Sequence, residues 1–137
     1  MTLNSTMSLD NTKDPNLLSP LTLAFIGDTV FDLLVREKII SEANRPVGKL
    51  HTLCAKMVCA GAQALAAEHI MPLLAEDELA VFKRGRNADS GHKPKNAAVA
   101  EYHAATGLEA LFGWLYLKGE NGRLHELFDM ICDTELQ

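Results

Sequence analysis

The stretch AFIGDTVFDLLVRE, residues 24–37, decides how the chain is read. Ile26, Val30, Leu33 and Leu34 follow Leu23 at three- and four-residue spacings, the period of an amphipathic helix. Yet Gly27 sits in the helix interior, where glycine costs about 1 kcal/mol against alanine. Asp28 follows in apolar company, and a carboxylate there needs a partner. Two local costs on adjacent residues point to a functional site. The alternative is a close helix crossing at Gly27 and an ordinary salt bridge at Asp28. The side opposite the apolar face carries Asp28, Asp32 and Arg36, but also Leu21, Ala24, Phe25 and Val35. That is too apolar for a solvent face, so the helix is expected to pack on two sides, once in its own core and once against another subunit. Asp32 is expected to pair with Arg36, four residues on.

Outward from this stretch the periodicity stays helical. Ser19 and Pro20 make a good N-cap and first position, so the helix is expected to open there and run to about Ile40. Residues 41–47, with Asn44 and Pro46, read as a connection. Residues 48–69 read as one long alanine-rich helix, ended by Pro72. Its small residues Ala55, Cys59, Ala62 and Ala66 would admit another helix closely. Residues 76–86 read as a third helix, acidic in its first turn and basic in its last. NADSGHKP, residues 87–94, is a loop by composition. Residues 95–118 are helical again, with a possible interruption at Thr106-Gly107, and Gly119 closes the segment. A last helix begins at Asn121 or Gly122 and runs to about Cys132. Strand and hairpin signals are nearly absent. The expectation is an all-α helical bundle, with a flexible N-terminal leader over 1–16 and a single domain over 17–137.

The 137 residues, 47% of them hydrophobic, suit one domain with a real core. No apolar run would span a bilayer, and the polar N-terminus is not a secretory signal, so a cytoplasmic location is expected. Cys54, Cys59 and Cys132 are odd in number and lack metal-ligand spacing; buried, reduced thiols account for them. The net charge of −5 argues against a generic nucleic-acid binder. It is unevenly spread: residues 83–95 carry five bases and one acid, a balance of +4 that leaves −9 elsewhere. That suggests one basic contact surface on an acidic body. RGR precedes the 87–94 loop and KPK crosses its end, a fit for a phosphate backbone. The alternative is that these bases only solvate a helix end and a turn.

TGLEALFGWLYLKG, residues 106–119, repeats the opening logic. Glu109, Gly113 and Tyr116 share one face, and Leu108, Leu111 and Leu115 the other. Two carboxylates from different helices can hold Mg²⁺ or Mn²⁺, which take oxygen ligands and keep several waters. The glycines beside them would leave room for the ion and a sugar-phosphate backbone. The alternative for Glu109 is a capping box, Thr106-x-x-Glu109. No phosphate-binding glycine loop or nucleophile elbow competes, and the five histidines show no metal spacing. His51 reads as a structural hydrogen-bonder.

FIGDTV resembles the signature of the ribonuclease III catalytic domain, and LEALFGWLYL resembles that family's second motif. The likeness extends from about Leu18 to Leu127, takes in RPVGKLH, FKRGRNA and YHAATGLEALFGWLYL in order, and is strongest to the short branch, Mini-ribonuclease III, which lacks the double-stranded-RNA-binding domain. The resemblance implies a ribonuclease III-like helical bundle forming a two-fold homodimer. It implies divalent-metal cleavage of double-stranded RNA, giving 5′-phosphate and 3′-hydroxyl ends, and for the short branch maturation of the 23S ribosomal RNA precursor. Carried over by motif, Asp28 and Glu109 would be catalytic and hold Mg²⁺ or Mn²⁺. Arg84, Arg86, Asn87, Lys93 and Lys95 would meet the RNA backbone, and a large-subunit ribosomal protein could hold the RNA in place. Full-length relatives carry acids where this chain has Ala24 and Thr106. The competing reading is therefore an inactive fold of the same type, serving as an RNA-binding ribosome assembly factor.

Overall fold

The computed structural model describes residues 14–88 and 98–135. Among the described residues six α-helices follow in order: α1 Pro20–Glu42, α2 Val47–Val58, α3 Ala60–Ile70, α4 Glu76–Arg86, α5 Ala98–Leu117 and α6 Asn121–Glu135. Short 3₁₀ turns stand at Pro15–Leu17 and Met71–Leu73. No strand occurs among the described residues. As expected, α1 opens on Ser19, whose hydroxyl accepts from the Thr22 N–H with Pro20 at the first helical position.

Helix α5 is the axle. Over 105–115 every residue is buried except Glu109, which is half-buried. A helix apolar on every side belongs inside a bundle, and α1, α3, α4 and α6 all pack on this one. The interruption considered at Thr106-Gly107 does not occur. Thr106 is in mid-helix, its hydroxyl donating to the Tyr102 carbonyl one turn back (2.9 Å). That excludes the capping box, because there is no helix start for Glu109 to cap.

The long second helix is two helices. Cys59 takes an extended backbone (φ −66°, ψ 156°), and α2 meets the run Ala60–Leu73 at 52°. No proline or φ > 0 glycine marks the break, which turns α3 across α5. Ala66 is buried there, whereas Ala55 and Cys59 are exposed, so the small-residue stripe is only partly used for packing. Cys54 and Cys132 are buried as expected, but Cys59 is exposed at the bend.

Helix α1 buries Leu23, Ala24, Val30, Phe31, Leu34, Val35 and Ile39 in the shared core. The core face is thus rotated from the one expected. Ala24 and Val35 point inward, while Leu33 is 55% and Phe25 81% exposed. Near the N-terminus the Trp114 indole donates to Asn16 Oδ1 (2.8 Å), tying down a residue expected to be in the leader. Residues 1–13 lie outside the described ones.

Candidate active site

Two glycine crossings position the site. A Cβ placed on Gly27 would lie 1.7 Å from the Glu109 carbonyl oxygen, and one on Gly113 would lie 2.0 Å from that of Leu23. The backbones of α1 and α5 therefore touch, running in opposite directions. On the other side of α5, a Cβ on Gly85 of α4 would meet Ala110 Cβ at 2.7 Å, and one on Gly107 would meet the Phe82 carbonyl at 2.8 Å. The expectation that Gly27 and Gly113 leave room for an ion is corrected: their open sides face the opposing backbone. The close crossing weighed as the alternative at Gly27 is real, and it is also what brings the two acids together.

Asp28, one residue beyond the crossing, is exposed. Its side chain lies close enough to that of Glu109 for the two carboxyls to perturb one another. Glu109 is pushed up to about 8, first by desolvation, then by the charge of Asp28 beside it. A carboxyl that keeps its proton near neutrality against a second carboxylate marks a place where a bound cation would replace that proton. Gln63 Nε2 lies 3.5 Å from Glu109 Oε2 and acts in the opposite sense, favouring the carboxylate. The donor set is all oxygen apart from that amide, the chemistry of Mg²⁺ or Mn²⁺ sites completed by water. The pair therefore fits a divalent ion. Among the described residues no cluster of three or more His, Cys, Asp or Glu accompanies it.

Asp32 is committed elsewhere, as expected. Its Oδ2 accepts from Arg36 Nε (2.9 Å) and its Oδ1 from the Cys54 thiol (3.3 Å). Burial, followed by the hydrogen bond to Asp32, pushes that thiol upward. His51 is exposed on α2.

The basic element is less uniform than its composition suggests. Arg84 and Asn87 are exposed at the end of α4, but the Arg86 guanidinium stands 5.5 Å from the Phe82 ring centroid, a cation–π contact. Lys93 and Lys95 lie outside the described residues. Two residues escaped sequence reasoning. Gln63 carried one available signal, as the lone amide on an alanine-rich segment. Arg123 carried none: on α6, it grips Glu78 of α4 through Nε (2.8 Å) and a second guanidinium nitrogen (2.8 Å).

An all-helical bundle that presses an aspartate and a glutamate together through a glycine crossing has the layout of a hydrolytic nuclease, and the ribonuclease III domain matches this chain over residues 21–120. The chain belongs to the ribonuclease III family and is an endoribonuclease. Within the family it is similar to the Mini-ribonuclease 3 of Thermoanaerobacter sp. (48% identical, covering 82% of this chain and 80% of that protein). It is similar also to that of Symbiobacterium thermophilum (44%, covering 88% and 92%). A crystal structure of a protein from Fusobacterium nucleatum superposes with a TM-score of 0.80 at 28% identity, covering 90% of this chain and 99% of that one.

Proposed function

We propose that the chain is a divalent-metal-dependent endoribonuclease that cuts double-stranded RNA in the cytoplasm and matures the 23S ribosomal RNA precursor. The observation that carries the reading is the contact between Asp28 and Glu109, two acids from different helices whose proximity raises the Glu109 carboxyl. In this reading both are catalytic and hold Mg²⁺, or Mn²⁺ in its place. Such an ion would neutralise phosphodiester charge and make water a better nucleophile. Asp28, on the exposed edge of α1, faces incoming substrate. Glu109, half-buried, is fixed by the α1–α5 crossing. The products are a 5′-phosphate and a 3′-hydroxyl.

Arg84, Arg86, Asn87, Lys93 and Lys95 contact the RNA backbone in this reading. Arg86 leaves its Phe82 stack to do so. Phe25 (81% exposed), Leu33 (55%) and Ile40 (62%) are large apolar side chains on the outer side of α1, interspersed with polar ones, which supports a two-fold homodimer built on that helix. A dimer presents two sites and two basic elements to one duplex, which offsets the net charge of −5. A large-subunit ribosomal protein bound to the same RNA would add to this.

The test is a duplex RNA carrying the base of the large-subunit precursor stem, with Mg²⁺. Asp28→Asn should cut roughly 10³-fold more slowly than wild type, the scale of losing metal-assisted stabilisation. Wild-type protein that binds the duplex at low salt but cuts no faster than Asp28→Asn is an assembly factor. Failure to bind at all removes the RNA reading.

A further inference from the structure

Three polar or charged side chains are buried among the described residues: Gln63, Glu78 and Thr106. Two are satisfied structurally. Thr106 donates within its own helix, and Glu78 accepts from Arg123 and from the Ala75 N–H. Gln63 differs. It is 3% exposed, and the partner its amide finds is Glu109 (3.5 Å). Burying an amide costs free energy unless it is hydrogen-bonded. Among the buried residues of α3 the others are Ala66, Ala67 and Ile70, and a packing role alone would be met better by leucine or methionine. The amide presents its NH₂ group to Glu109, the orientation that suits an ionised carboxylate, which only accepts.

The fold goes to some length to place this amide. Gln63 lies in the first turn of α3, its N–H donating to the Cys59 carbonyl (3.0 Å) at the 52° bend. Were the helix straight, a residue four positions past the bend would sit roughly 5 Å to the side, given the ordinary rise per residue. That is beyond hydrogen-bond reach of Glu109. No proline marks the bend at Cys59, and the contact between α3 and α5 beyond it puts Gln63 against the site.

We propose that Gln63 is a positioning residue for the endonuclease: its amide holds the Glu109 carboxylate in register with Asp28, so that the two acids take up a divalent ion together. This rests on the reading of Asp28 and Glu109 as a metal-holding pair. Outer partners that orient ligating carboxylates typically affect metal affinity 10- to 100-fold.

The experiment titrates Mn²⁺ calorimetrically into the full chain without RNA, for wild type, Asp28→Asn, Gln63→Met and Gln63→Asn, and measures kcat and KM for duplex cleavage alongside. Gln63→Met conserves volume and removes the donor. It should keep the helical circular-dichroism spectrum, bind Mn²⁺ about 10- to 100-fold more weakly, and lose kcat at limiting metal by a similar factor. KM for the duplex should stay within about twofold, since Gln63 is buried and offers no surface for contact, and raised Mn²⁺ should restore kcat. Gln63→Asn, with its amide one methylene short, is the second variant if Met does not fold, and the same loss is expected. Wild-type Mn²⁺ affinity in a folded Gln63 variant overturns the proposal, as does loss of fold in both, which would make Gln63 a structural amide. If instead wild type binds Mn²⁺ no better than Asp28→Asn, it is the metal-pair reading that fails.

Discussion

Glu78 and Glu109 are the same residue type, each on a helix packed against the core, and they are wired in opposite ways. Glu78 reaches back to the N-terminus of its own helix, accepting from the Ala75 N–H (2.7 Å), and meets Arg123 from α6 in two further bonds. The Arg123 hydrogen bond holds its carboxyl below the usual range. Glu109 meets a second carboxylate and an uncharged amide, and it is pushed up to about 8. The first arrangement is complete in itself and bolts α4 to α6. The second, under the proposed function, is the arrangement a cation would complete. Burial alone does not separate structural acids from functional ones; the charge of the partner does.

The largest effect expected from this contrast is at Glu109. Glu109→Gln should lower cleavage by about 10³-fold or more while leaving the protein no less stable. Without divalent ions at pH 8 it should be more stable than wild type by ~1–2 kcal/mol, a rise of a few degrees in melting temperature. The sign follows from the raised value. The folded state favours protonated Glu109, so wild-type stability is intact below about pH 4.5 and is lost as pH rises through about 8. The gap between variant and wild type should open across that window and close again on adding Mg²⁺. Melts over pH 5–9 with chelator check this, and a Glu109→Gln protein less stable at pH 8 would break the contrast.

Arg123→Ala should do the reverse. It leaves Glu78, 6% exposed, with one donor in place of three. Stripping a partner from a buried pair costs several kcal/mol; with Arg123 partly solvated, ~2–4 kcal/mol is expected, near 10 °C in melting temperature. Cleavage per folded molecule should be unchanged within about twofold. Because Glu78 is depressed, its contribution is present above about pH 4.5 and fades as pH falls below that. The wild-type advantage over Arg123→Ala should therefore be flat near neutrality and shrink in acid, the opposite trend to Glu109→Gln.

The two halves of the contrast were not equally legible in the chain. Ser19-Pro20 announces α1, and the repeat of a carboxylate beside a glycine picks out Asp28 and Glu109. The purpose of the glycines does not show, because the sequence cannot say that Gly27 and Gly113 face each other. The face of α1 is likewise misjudged: Leu33 fits the apolar period, yet Phe31 and Val35 take the core because α5 approaches along the glycine line. The bend at Cys59 carries no proline to announce it, so the alanine-rich run around it reads as one helix. Arg123 looks like any surface base until α6 is laid over α4. Local signals report caps and periods, whereas crossings and ion-pair bolts depend on which helices meet.

The glycine crossings give the smallest and most discriminating pair of variants. Gly27→Ala places a methyl 1.7 Å from the Glu109 carbonyl oxygen, and backbone cannot step aside as a side chain can. The helices must part, at a cost of about 1–3 kcal/mol in stability. The same displacement separates Asp28 from Glu109, and about 1 Å of misplacement can lower rate about 10²-fold. Gly85→Ala meets Ala110 Cβ at 2.7 Å on the opposite side of α5. It should cost stability of the same order, yet leave kcat of the folded fraction within a few-fold, because Asp28 and Glu109 are held by the α1 crossing. Measuring kcat at a temperature where both variants are folded separates the two. Equal losses of kcat would mean that α5 moves as a rigid rod carrying every contact with it; a loss confined to Gly27→Ala would place the geometry of the acid pair in one crossing alone.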